Sequence, residues 1–200
     1  MPSPSASIYQ SSEDRARVLL STALDARLRP ISRSRSQTYL HASLAAYVAG
    51  WDAYVHNLVR DFFQAVADPL TPKFHFMHDI ARSASETAMK RFNTPNWDNS
   101  RNIIMQYTGY DPITDWVWAR RGWLVAQVRD RLDQILQVRH SFAHGFPIPA
   151  YSWTQTASGD VRLTAQCIHD TQRFFANLVS RTDQGMSRHI TSVFGVAPPW

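Results

Sequence analysis

Arg139, His140 and His144 are the residues of this chain whose types and spacing could do chemistry, within Arg139-His140-Ser141-Phe142-Ala143-His144-Gly145. A histidine titrates near neutral pH and can give or take a proton. An arginine keeps its charge and presents a planar fork of donors that fits a phosphate or a carboxylate. Apolar side chains at 124, 128, 132, 135 and 142 recur with helical spacing, and Arg139 stands in that series. A lone buried guanidinium costs several kcal/mol in desolvation. An arginine there is therefore expected to face a carboxylate, a partner chain or an anionic ligand.

The elements that must position these residues read as helices. Residues 1 to about 10 read as a flexible tail, and Ser11 with Asp14 three positions on resembles a helix start that Arg27, Arg29 and Pro30 close. A serine- and arginine-rich link, 32 to 37, leads to a long helix from about Ser36 to Ala67. Its inner face is Leu40, Leu44, Tyr47, Val48, Trp51, Val55, Leu58, Phe62 and Ala65, and Asp68-Pro69 ends it. A third helix spans about Phe74 to Phe92, and Asn93-Thr94-Pro95-Asn96 separates it from a short one, about Asn99 to Thr108, stopped by Gly109. The helix bearing Arg139 ends at Gly145, with Pro147 and Pro149 beyond it. Ser158-Gly159-Asp160 centres a small β-hairpin at about 151–165. A last helix from about His169 to Val193 turns Phe174, Phe175, Leu178, Met186 and Ile190 inward. The sum is an all-α, up-and-down helical bundle, one domain over about 11–200.

Composition narrows the class. Two hundred residues suit a single domain with an ample core. The formal charge is +5, and of 21 basic residues only Lys73 and Lys90 are lysines, which modestly favours an anionic partner. A single cysteine, Cys167, excludes an intramolecular disulfide and multi-cysteine zinc motifs. No apolar run is long enough to span a bilayer, and the start lacks a signal-peptide layout, so a soluble cytoplasmic protein with no membrane partner is expected.

Arginine, four residues, then histidine, closing on Ala-His-Gly, resembles the signature of the HEPN superfamily of small helical domains, and more particularly its RiboL-PSP-HEPN branch. The likeness extends along the chain through Trp51-Asp52-Ala53-Tyr54, Phe92-Asn93-Thr94-Pro95-Asn96, Gly109 with Trp116, and Pro198-Pro199-Trp200. It covers roughly residues 36 to 200.

The resemblance implies a metal-independent endoribonuclease with no cofactor. It also implies a homodimer through the motif helix, each copy supplying Arg139 and His144 to a cleft that cuts RNA into 2′,3′-cyclic phosphate ends. His140 would orient a phosphate or its neighbour; Asp52 would pair with Arg139 or polarise a histidine. On an ideal helix Arg139 and His144 lie about 7.5 Å apart along the axis and roughly 140° apart in azimuth. One rigid helix cannot present both to one atom, so either the last turn opens at Gly145 or a two-fold-related chain completes the pair; the second is preferred.

The family's biology implies a toxin or antiviral-defence effector, with an antitoxin or regulatory protein as a further partner. Relatives controlled by nucleotidyltransferases carry a tyrosine two places after the motif histidine. Phe146 stands there and has no hydroxyl to modify, so no such partner is expected.

Plainer readings stand beside these. His144 alone reads as a helix-terminal histidine facing the dipole. His140 and His144 have a spacing that metal ligands use, but no glutamate lies between them and no third ligand is evident. His75, His78 and Asp79 read as a solvated helix face, Asp52 with His56 as a surface pair, and Trp116, Trp118 and Trp123 as core or interface aromatics. The alternatives to the enzyme are a non-catalytic RNA- or nucleotide-binding module of a sensing or defence complex, and a structural dimerisation domain.

Overall fold

The computed structural model describes residues 1–25, 27, 32–68, 71–92, 94–198 and 200. Arg29, Pro30, Pro69, Asn93 and Pro199, each given a part in the sequence reading, lie outside them. The described residues form six α-helices: α1 Pro4–Leu24, α2 Arg33–Ala65, α3 Pro72–Met89, α4 Trp97–Thr108, α5 Val125–Ala143 and α6 Ala165–Phe194. The bundle is all-α, as its periodicity implies.

The start of the chain departs from the expected tail. Ser3 caps α1, its hydroxyl accepting the Ala6 N–H at 3.0 Å, and Pro4 takes the first turn, where a missing N–H costs nothing. Two buried carboxylates then anchor it: Asp61 of α2 accepts the Ser5 N–H at 2.8 Å and Asp183 of α6 accepts the Ser3 N–H at 3.1 Å. Tyr9, Ala16, Leu20 and Ala23 are buried on α2. The two helices run antiparallel, Ser43 donating to the Ala16 carbonyl at 2.8 Å. At Gly50 a Cβ would press on Ser12 and Tyr9 at 3.2 and 3.3 Å, so the missing side chain is what permits their close approach.

Thirty-three residues make α2 about 50 Å long, the spine on which α1, α4, α5 and α6 pack. Tyr54, Val59 and Phe63 are buried as well as the predicted face from Leu40 to Phe62, because neighbours cover α2 on more than one side, while Ala65 is half-buried. A tryptophan cluster joins the layers: Trp116 meets Trp97 at 4.5 Å and Trp51 at 6.0 Å, and its indole N–H donates to Thr182 of α6.

The expected hairpin is reduced to one antiparallel pair, Gln155 with Val161. Thr154 is responsible. Its hydroxyl donates to the Pro149 carbonyl and accepts the Tyr151 N–H, curling residues 149–154 into a turn where a strand would have to be extended.

Candidate functional site

The buried face of α5 is Val128, Arg131, Leu132, Ile135, Val138 and Ser141. The stripe therefore runs through Val138, and Arg139, one residue or about 100° further round, is exposed. Leu124 and Phe142 are exposed too. This corrects the expectation that Arg139 is buried; the desolvated arginine of this helix is Arg131, at 7% exposure.

What Arg139 does is line a cavity of about 930 Å³. Ala45, Ala49 and Asp52 of α2 form one wall, the segment Thr94–Asn96 another, and Leu136, Arg139 and His140 of α5 a third, with Phe146 and Pro147 at the end. Small residues at 45 and 49 leave the space open. Asn96 caps α4 by accepting the Asn99 N–H at 2.8 Å, which fixes the second wall.

The last turn of α5 closes in a Schellman motif. Phe146 N–H donates to the Ser141 carbonyl at 2.8 Å and Gly145 N–H to the Phe142 carbonyl at 3.3 Å, with Gly145 at φ +70°. His144, the cap residue, has left helical geometry. Its ring lies 4.2 Å from that of His140 and 6.1 Å from that of Phe146. Both histidines are exposed. Of the four residues singled out, the cavity joins Asp52, Arg139 and His140; His144 does not line it and connects through its ring contacts.

Asp52 is half-buried, and its Oδ1 is shut away from water without a hydrogen-bond partner. Burial raises its carboxyl above the usual carboxylate range, against the opposing pulls of His56 and Arg139. The His56 Nδ1 stands 3.7 Å from Asp52 Oδ1, beyond hydrogen-bond reach, and the ring instead faces the Asp52 and Met89 carbonyls at 2.9 and 3.1 Å. Among the described residues, no carboxylate forms an ion pair with Arg139, which lines the cavity.

The other histidines sort differently from expectation. His78 is not solvated: its Nε2 meets the Phe63 carbonyl at 2.8 Å and its ring packs on Phe63, while His75 and Asp79 stay outside at 3.4 Å. Among the described residues, no group of three or more His, Cys, Asp or Glu side chains is placed to hold a metal ion. His41 escaped the sequence reading. It is buried on α2, stacks on Phe142 at 4.4 Å and 6°, and so holds the motif turn against the spine. Its spacing is the signal: 41, 45 and 52 fall within a narrow arc of one helix face.

The all-α bundle, with the Arg139-x4-His144 motif closing a helix, has the form of a HEPN-type domain. The family model described as RiboL-PSP-HEPN matches residues 12–187, and the chain belongs to that family. The match begins within α1, ahead of the stretch where the motif resemblance starts. Neither a curated protein nor a solved structure matches the chain. Family membership points to a nuclease or RNA-related role. No helix of the described residues is long and apolar enough to cross a membrane.

Proposed function

We propose that this chain is a metal-independent endoribonuclease acting as a homodimer, in the service of a toxin or antiviral-defence role. The observation that carries the reading is the open cavity in which Arg139, His140 and Asp52 converge, with His144 in ring contact with His140. The guanidinium binds the scissile phosphate and offsets the charge that builds on its oxygens. One imidazole takes the proton of the 2′-hydroxyl as that oxygen bonds to phosphorus; the P–O5′ bond breaks, and a second protonated group delivers a proton to the departing oxygen. Those exchanges balance without metal or cofactor and leave a 2′,3′-cyclic phosphate.

His144 is not among the residues lining the cavity of its own chain, so a second copy docked by the motif turn is what would bring it to a phosphate held by Arg139. Exposed Phe142, Phe146 and Pro147 supply apolar surface for that contact. The same placement of His144 favours one second reading, an RNA-binding module without catalysis.

Total RNA incubated with the protein in EDTA separates the two. Cyclic-phosphate ends produced by wild type and not by His144→Ala support the enzyme; salt-dependent binding with intact RNA supports the module.

A further inference from the structure

Arg131 is an anomaly on α5. It is 7% exposed, its guanidinium lies 3.9 Å over the face of Trp153, and among the described residues it has neither a carboxylate within ion-pair distance nor an acceptor for its N–H groups. The nearest candidate, Asp170, is engaged by Arg121 at 2.7 Å. Burial lowers the Arg131 pKa to about 10, which leaves it charged at neutral pH. Desolvating most of a guanidinium without pairing it to an anion is costly, and stacking on an indole offsets only part of that cost.

The donors border a second cavity, about 410 Å³, on the side of α5 away from α2. Trp118, Trp123 and Trp153 contribute to its walls, and Arg121 lies over Trp118 and Trp123 at 5.3 and 5.9 Å. Flat indole and guanidinium surfaces are what a nucleobase stacks on, and an unpaired guanidinium fork is what a phosphate accepts from.

The two cavities share the helix α5 and the segment that follows it. The segment after α5 is strapped to the helix by Tyr151 Oη on Gln137 and by Trp153 Nε1 donating to Gln134 at 2.9 Å. Gln137 lines the first cavity and Gln134 the second. Arg131 and Arg139 are eight positions apart, about 12 Å along the axis.

We propose that this tryptophan-walled cavity is a nucleotide-binding subsite in which Arg131 holds a phosphate and an indole face carries the base, engaging the RNA strand a few nucleotides from the bond cut at Arg139. The proposal rests on the endoribonuclease reading for its substrate, but its test does not depend on cleavage.

Adenosine 5′-monophosphate, adenosine and inorganic phosphate are titrated separately into the full chain at low salt, followed by tryptophan fluorescence and by the indole N–H resonances of Trp123 and Trp153. The monophosphate is expected to quench and to shift both resonances more than either fragment does. Arg131→Met should weaken its binding by about tenfold to a hundredfold, with the melting temperature held or raised because an unpaired buried charge is gone. A 2′-O-methylated oligoribonucleotide, which has no 2′-hydroxyl to attack phosphorus, should lose affinity in Arg131→Met to a similar degree.

No response to the monophosphate, unshifted Trp153, or wild-type affinity in Arg131→Met overturns the subsite. If Arg131→Met fails to fold, the resonance shifts of the wild type decide alone. Arg131-dependent binding without any cleavage by wild type would leave the subsite standing and remove the nuclease.

Discussion

The His140 and His144 rings lie 4.2 Å apart on the final turn of α5, tilted by 42°, with Arg139 directly before the first of them. Two imidazoles in ring contact set two proton-carrying groups side by side at the helix end. A lone histidine would have to be both acid and base in turn.

If that pair moves the protons, His144→Ala should lower RNA cleavage by about a hundredfold to ten-thousandfold, and Arg139→Ala by about a hundredfold or more. Both side chains are exposed, so helical circular dichroism and the melting temperature should hold. Cleavage in EDTA, read as cyclic-phosphate ends, checks this, and full activity in either variant would remove the assignment.

Asp52 is expected to trade stability for activity. Its Oδ1 is buried without a partner, and burial disfavours the charged form. Asp52→Asn removes the charge, so unfolding free energy should rise by about 1 kcal/mol while cleavage falls. Denaturant titration and the RNA assay measure the two halves. A variant that is both less stable and fully active would mark the residue as structural.

His41 should make the protein acid-sensitive. Burial pushes its pKa down to about 4, whereas an unfolded histidine sits near 6.5. The unfolded chain therefore takes the proton first, and stability drains away as pH falls from about 6.5 to about 4, by as much as about 3 kcal/mol. Asp52, Asp61 and Asp183 act in the opposite sense, since burial holds their carboxyls above the usual range and protonation relieves it. The difference between wild type and His41→Phe isolates the histidine. Parallel pH–stability curves for the two would contradict its role.

Gly185 is a packing requirement. A Cβ there would overlap the Tyr110 hydroxyl and the Asp115 carboxylate, which are bonded to each other at 2.6 Å, with Arg188 paired to the same carboxylate. Gly185→Ala should cost about 1–3 kcal/mol despite the better helix propensity of alanine. An unchanged denaturation midpoint would show that the cluster can shift at no cost.

Much of the fold could be read locally. Apolar periodicity placed α2, α3 and α6 within a few residues of their ends, and Gly109, Gly145 and Gly195 do stop helices at positive φ. Gly109 and Gly145 were readable as stops because only a residue without a Cβ relaxes there. The Arg139-x4-His144 spacing and the co-linear tryptophans pointed to the family whose match covers residues 12–187. By contrast, Ser3-Pro4 is a sound cap and first turn, yet a serine-rich start resembles a tail until Asp61 and Asp183, far along the chain, accept its amides.

The phase of α5 shows where local reading stops. Composition, helix class, the motif and its charge are properties of the sequence by itself, since spacing along a helix is fixed by its 3.6-residue turn. Whether Val138 or Arg139 faces the core is a difference of one residue, and periodicity alone leaves that choice open. Only the packing of α2 and α4 against the helix settled it, leaving Arg139 exposed at the cavity with Asp52 and desolvating Arg131 against Trp153. Burial is set by neighbours distant in the chain, and it decides which of two arginines on one helix is available to solvent.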